Sequence, residues 1–217
     1  MELNIDWRLY VVLDMDLLRE RDPLSVARAA LSGGATVLQL RAKHMTVREQ
    51  VVLGQSLLAV TQAYEVPLLI NDHTDIALSI GAQGVHLGVD DLPVALARAI
   101  MPRGIIGYSP EGAADARRAE VDGASYLGVG PFAVTRTKPD AGAAIGARGI
   151  AEIAGAVHIP VVAVGGLTSA NVLDAVEAGA AGVAVASAVI MAPDLDAAAR
   201  ALRSRLVETS QLRNGRS

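Results

Sequence analysis

The chain has no cysteine. That excludes disulfides, thiolate zinc sites and a cysteine nucleophile, and it fits a reducing compartment. Aromatic side chains are scarce, with one Trp, one Phe and four Tyr, so any core must be built mostly from aliphatic residues. There is no basic run, and the net charge is −4; a nucleic-acid surface would need a basic stripe. Apolar runs are short and broken by Gly or charge, so none can span a bilayer. The first eight residues carry Glu2, Asp6 and Trp7 where a signal peptide would need a basic start and an apolar stretch. These absences point to a cytoplasmic protein with neither a membrane nor a nucleic-acid partner.

Hydrophobic residues make up 52% of the 217 positions and charged residues 19%, enough for one large core and too apolar for disorder. Short apolar runs recur along the chain: Leu9–Leu13, Val37–Leu40, Leu68–Ile70, Val85–Leu87, Ile105–Tyr108, Tyr126–Val129, Val161–Val164 and Val183–Ala186. Each is too short for a helix and lacks polar alternation, as strands buried on both faces do. Between them lie helical patterns such as Val47–Tyr64, Val94–Ile100 and Asn171–Ala178. Alternation of this kind predicts parallel βαβ units. An open doubly wound sheet competes with a closed barrel. Gly-Ala pairs at 34–35, 81–82, 123–124 and 179–180 stand before the second, fourth, sixth and eighth runs. Four helix ends in step with alternate strands favour the α/β alternative of a single (β/α)₈ barrel, whose strands layer in alternating sets. The barrel is expected over residues 1–208, with a flexible polar tail over 209–217. Oligomeric state is left open, a homo-oligomer included.

In such a barrel the chemistry gathers where strands end and βα loops begin. The second run ends in Gln39-Leu40-Arg41-Ala42-Lys43 and the third in Asn71-Asp72. The fourth ends in His86-Leu87-Gly88-Val89-Asp90-Asp91, the fifth in Ser109, the seventh in Gly165-Gly166 and the eighth in Ala186-Ser187. Arg41 and Lys43 alternate, so one side of the strand can offer both cations to an oxyanion such as diphosphate; a solvated rim pair is the competing reading. Asp72 and Asp91 end neighbouring strands and offer hard oxygens suited to Mg²⁺. The competing reading is helix N-capping, stronger for Asp91, which precedes Pro93, than for Asp72, because Thr74 is the better placed cap. Gly166 and Ser187 follow the last two strands, where this fold commonly binds phosphate. Thr135-Arg136-Thr137-Lys138 sits in the longest loop, Gly130 to Gly146, a candidate lid. His86 reads as a satisfied histidine inside a strand; His44 and His158 read as loop residues; His73 stands beside Asp72 with its direction open.

Taken in order, Gln39-Leu40-Arg41-Ala42-Lys43, Ile70-Asn71-Asp72, His86 to Asp91, Gly128-Val129-Gly130-Pro131-Phe132, Thr135-Arg136-Thr137-Lys138 and Val164-Gly165-Gly166 resemble the thiamine-phosphate synthase family over nearly the whole chain. The resemblance implies a transferase of thiamine biosynthesis that joins hydroxymethylpyrimidine diphosphate to hydroxyethylthiazole phosphate, releasing diphosphate. It implies that Gln39, Arg41, Lys43, Asn71 and Lys138 hold the pyrimidine diphosphate and that Ser109 contacts it or its leaving group. It also implies that Asp72 and Asp91 hold Mg²⁺, and that Thr135, Thr137, Gly166, Ala186 and Ser187 hold the thiazole phosphate. Leu40, Ala42 and Arg136 fall within the matched segments and count as binding positions. Arg41, Lys43, Ser109 and Lys138 are the expected catalytic set. One position departs: the family usually has a histidine two residues after the serine, and this chain has Glu111, read as first-turn charge on the next helix. A thiazole tautomerase-like isomerase and a phosphate-ligand sensor are the alternatives; the diphosphate and metal clusters argue against both.

Overall fold

A strand covered on both faces is mostly apolar, and the eight apolar runs form eight parallel strands. A computed structural model describes residues 5–135, 137 and 142–214, with side chains to 208. The strands are β1 (Leu9–Asp14), β2 (Val37–Arg41), β3 (Leu68–Asn71), β4 (Gly84–Leu87), β5 (Ile105–Tyr108), β6 (Tyr126–Val129), β7 (Val161–Val164) and β8 (Gly182–Val185). They pair in sequence order, and β8 closes on β1 through Leu9–Val183 to Val11–Val185. The closed (β/α)₈ barrel is therefore the fold, and the open sheet is excluded.

Helices α1 (Met15–Leu18), α2 (Pro23–Ser32), α3 (Val47–Ala63), α4 (Thr74–Ile80) and α5 (Val94–Ile100) surround the first half. The second half carries α6 (Ala113–Val121), α7 (Gly146–Ala154), α8 (Val172–Glu177), α9 (Ser187–Ile190) and α10 (Leu195–Asn214). Helix α3 starts on a capping box in which Thr46 and Glu49 satisfy each other's backbone amides. Gly34, Gly81, Gly123 and Gly179 all have positive φ, between 74° and 109°. The Gly-Ala pairs thus turn the chain from an even-numbered helix into the next strand through a left-handed residue, where a side chain would be strained. Helix α10 crosses the boundary drawn at 208, since nothing from 209 to 214 breaks a helix and the first glycine is Gly215.

Two apolar layers follow from the pleat. Outward strand residues such as Leu38, Leu40, Leu68, Ile70 and Ile106 pack under the helices. Inward residues Tyr10, Val37, Leu69, Ile105, Tyr126, Val162 and Ala184 fill the barrel with Trp7 beneath them. The Trp7 ring lies 4.2 Å from that of Tyr126, so the lone Trp plugs the floor. Burying side chains of this size contributes roughly 1.5–3 kcal/mol each. The floor is also pinned electrostatically, with Asp6 bound by Arg8 at 2.6 Å and by Arg203 of α10 at 2.8 Å. Gly182 meets the Trp7 carbonyl so closely that a Cβ would lie 1.8 Å from it. No helix among the described residues is long and apolar enough to cross a membrane.

Candidate active site

The mouth of the barrel collects the predicted cluster from the carboxyl ends of the strands. On β2, Gln39 points inward, buried, and its Nε2 donates to Asn71 Oδ1 on β3 at 3.3 Å. Arg41 meets Asp14 at 2.7 Å, and Lys43 meets Asp72 at 3.4 Å. Leu40 and Ala42 point the other way, into the layer beneath the helices. Their side chains do not reach the mouth, so at these two binding positions only the backbone is available to a ligand.

Asp14 was not anticipated. It is the polar residue that follows the first apolar run, the same place that drew Arg41, Asn71 and Ser109 as candidates after theirs. It is 2% exposed, accepts from the Asp16 amide to start α1, and fixes the Arg41 guanidinium. A buried carboxylate on a cation holds that cation's direction before any ligand arrives.

Asp72 has φ of 63°, a left-handed conformation that Asp adopts more readily than most non-glycine residues. Its amide donates to the His86 carbonyl at 2.8 Å, so the β3–β4 ladder itself turns the residue into the mouth. Burial raises the Asp72 carboxyl above the ordinary carboxylate range, as does the Asp91 carboxyl within hydrogen-bonding reach; Lys43 only partly offsets them. Two hard carboxylates crowded together, with the ionised form of Asp72 disfavoured, are a fitting donor pair for a divalent cation. Among the described residues, no group of three or more His, Asp or Glu side chains surrounds one point, so substrate oxygens and water would complete a hard-cation shell.

The capping readings change. Asp91 does not cap α5, whose N-cap is Pro93; it accepts the Gly88 amide at 2.6 Å and closes its own turn. Thr74 is not a cap either. It is the first residue of α4, His73 is the N-cap, and the buried Thr74 hydroxyl has no partner among the described residues. His73 turns to Asp75 at 3.6 Å. His44 and His158 are exposed, as loop residues should be. Glu111 precedes α6 instead of standing in its first turn; that place belongs to Asp115, which accepts the Glu111 amide at 3.1 Å.

On the opposite side of the mouth, the Thr137 amide donates to Thr135 Oγ1 at 3.2 Å, and the Thr137 hydroxyl lies 3.5 Å from that of Ser187. Ser187 opens α9, directly after Ala186. Gly166 has φ of 67°, and a Cβ there would stand 2.5 Å from the Ala133 carbonyl. Asn171, also unanticipated, accepts the Thr168 amide and donates to the Gly166 carbonyl at 3.0 Å. The Phe132 and Ala133 amides donate to Val164 and Gly165, and Ile145 returns to Pro131. The base of the long loop is thereby tied to β7. Arg136 and Lys138 lie outside the described residues.

His86 is the satisfied strand histidine expected. Its Nδ1 lies 2.7 Å from the Tyr126 hydroxyl and its Nε2 2.9 Å from Ser109 Oγ.

Residues 9–189 match the family model described as thiamine monophosphate synthase. The thiamine-phosphate synthase of Herpetosiphon aurantiacus is 54% identical over 198 residues, 91% of this chain and 96% of that protein. That of Chloroflexus aurantiacus is 49% identical over 207 residues, 95% of each. Among solved structures, a thiamine phosphate pyrophosphorylase from Pyrococcus furiosus superposes with a TM-score of 0.88 at 38% identity, covering 95% of this chain and 98% of that one.

Proposed function

Since this chain belongs to the thiamine monophosphate synthase family and is a transferase on a (β/α)₈ barrel, we propose that its mouth joins hydroxymethylpyrimidine diphosphate to hydroxyethylthiazole phosphate. The observation that carries the assignment to this mouth is the pairing of two unlike clusters across it. Oriented cations and crowded carboxylates stand on β2–β4, and a hydroxyl and glycine cradle follows β6–β8. One side suits a diphosphate with its cation, the other a phosphate monoester.

The chemistry follows from the charges. The bond between the pyrimidine methylene and the diphosphate oxygen breaks, and its electron pair leaves with the diphosphate. The aminopyrimidine delocalises positive charge at the methylene carbon, so the substitution is dissociative. The thiazole nitrogen lone pair then forms the new C–N bond, giving thiamine phosphate. No protein nucleophile takes part. Arg41 and Lys43, aimed in advance by Asp14 and Asp72, stabilise the charge that grows on the leaving oxygens more than they stabilise the bound substrate. Gln39 and Asn71 orient the pyrimidine end. Ser109 faces the departing group. Thr135, Thr137, Ser187 and the Gly166 backbone hold the thiazole phosphate beside Ala186. Lys138 and Arg136 stand in the same sequence segment as the two threonines, and Lys138 serves the diphosphate.

Mg²⁺, held by Asp72 and Asp91, would neutralise diphosphate charge and complete its shell from phosphate oxygens and water. The lack of cysteine supports a cytoplasmic setting. The deciding experiment mixes purified protein with both substrates and Mg²⁺ and looks for thiamine phosphate by liquid chromatography. Formation is expected; no product with both substrates present would overturn the assignment.

A further inference from the structure

Four polar groups form one chain through the barrel interior. The Tyr10 hydroxyl lies 2.9 Å from that of Tyr126, which lies 2.7 Å from His86 Nδ1, while His86 Nε2 lies 2.9 Å from Ser109 Oγ. The chain begins above Trp7 on the floor and ends at the mouth. It is built in, because two glycines make the space for it. A Cβ on Gly107 would lie 2.3 Å from the Tyr126 ring, and one on Gly128 would lie 2.8 Å from the His86 ring and 3.5 Å from Ser109 Oγ.

Such a chain can run its protons either way, and the two ends decide which. If Ser109 donates to His86, then Nδ1–H donates to Tyr126 and Tyr126 donates to Tyr10. The Tyr10 proton then needs an acceptor on the floor. Tyr10 is 2% exposed among Trp7, Val37, Leu69 and Ala184, and among the described residues Tyr126 is its hydrogen-bond partner. A doubly protonated imidazole meets the same dead end, since its Nδ1–H also forces Tyr126 to donate downward. Leaving a buried donor unpaired is costly. Burial pushes the Tyr10 and Tyr126 phenols up, so both stay protonated at working pH. In the other direction every step is satisfied. Tyr10 donates to Tyr126, Tyr126 donates to Nδ1, and Nε2–H donates to Ser109. The Ser109 proton is then directed to the solvated mouth.

We propose that His86 is a positioning residue, locked by the Tyr10–Tyr126 pair into its Nε2–H form, and that it turns Ser109 into a hydrogen-bond donor aimed at the leaving diphosphate. The proposal rests on the reading of the mouth given above. It adds that a relay reaching the floor sets the polarity of one catalytic hydroxyl. Ser109 then contributes a fixed donor where negative charge develops, and no proton moves along the chain.

The test is spectroscopic first. In protein labelled with ¹⁵N-histidine, without substrates and at pH 8, the His86 ring is assigned by its loss in His86→Gln. Long-range ¹H–¹⁵N correlations should show a protonated Nε2 and a bare Nδ1. A protonated Nδ1 overturns the proposal, whether or not the protein makes thiamine phosphate. The second arm is kinetic. Ser109→Ala should lower turnover by about 10²-fold, the usual effect of one lost donor to a developing anion. Tyr126→Phe should mix the His86 tautomers and lower turnover, yet lower it by less than about threefold in the Ser109→Ala background. A full Tyr126→Phe loss in that background shows a role independent of Ser109 and overturns the relay. Should Tyr126→Phe fail to fold, the wild-type tautomer decides alone.

Discussion

The two ends of this barrel treat their carboxylates in opposite ways. On the floor, burial pushes the Asp6 carboxyl up, but hydrogen bonds from Arg8 and Arg203 outweigh it and bring it to about 2. At the mouth, burial and the Asp91 carboxyl together push Asp72 up, and Lys43 does not cancel them. The floor is a settled arrangement in which the carboxylate has its cations. The mouth is an unsettled one, in which two acids crowd each other and the cation beside them does not offset the crowding. Active sites commonly hold such arrangements because a ligand completes them.

The largest expected effect breaks the mouth. Asp72→Asn and Asp91→Asn should each lower turnover by about 10²-fold or more, the scale of losing one electrostatic contribution to a developing diphosphate. Chelation of divalent cations should abolish turnover in the parent protein. Circular dichroism should be unchanged, because both residues stand on turns at the solvated rim. Normal turnover in both variants, or in chelator, would sink the cation assignment. On the floor, Asp6→Asn should leave turnover within about twofold of the parent, since Asp6 binds Arg8 and Arg203 at the opposite end of the barrel and distant sites act independently.

A smaller effect sharpens the division within the mouth itself. Ser187→Ala removes a hydroxyl that lies 3.5 Å from Thr137 in the phosphate cradle. It should weaken thiazole phosphate by roughly 1.5–3 kcal/mol, the range for a hydrogen bond to a charged group. Pyrimidine diphosphate binding, read by calorimetry, should hardly move. An equal loss for both ligands would mean that the two clusters are one site.

The floor answers to acid. Asp6 has its folded carboxyl below the unfolded one, so its contribution is fully present above about pH 4 and is lost as pH falls through about 2. At neutral pH, Asp6→Asn should cost about 1–2 kcal/mol in urea unfolding, after allowing for a side chain that is 32% exposed. The difference from the parent should shrink as pH falls toward 2 and in high salt. A constant difference across pH would show that the cluster acts through packing alone.

How much of this could be read from the sequence depends on which property carried it. Strands buried on both faces announce themselves as apolar runs, and three of the eight, Ile105–Tyr108, Tyr126–Val129 and Val161–Val164, coincide with β5, β6 and β7. The others slipped by a residue where a glycine or a polar residue ended the strand, as at Gly84, Gly182 and Asp14. Asp14 follows the first run as Arg41 follows the second, yet only Arg41 was singled out, and the anchor of Arg41 was missed with it. Which strand residues point inward was not legible, because a run apolar on both faces has no alternation to reveal it. So the Tyr10–Tyr126–His86–Ser109 chain went unseen. Asp72 and Asp91 were legible as a pair from their place at the ends of neighbouring strands. Their mutual crowding needed the coordinates.

The smallest effect has the most diagnostic sign. A carboxyl whose folded pKa is raised binds its proton more tightly when folded. It therefore lowers stability as pH rises from the unfolded carboxylate value through the raised one, and the penalty stays at neutral pH. Asp72→Asn removes that penalty along with the repulsion from Asp91. It also removes the Lys43 contact at 3.4 Å, but Lys43 is 45% exposed, and such pairs contribute little. In chelator at pH 7–8 the inactive Asp72→Asn should thus melt at a higher temperature than the parent, and the gain should fade as pH falls toward 3. Mg²⁺ should then raise the parent's melting temperature, by mass action on the folded state, and leave the variant's nearly unchanged. Asp6→Asn should melt lower than the parent with or without Mg²⁺. If Asp72→Asn is also destabilised in chelator, the two carboxylates are alike and the contrast between mouth and floor fails.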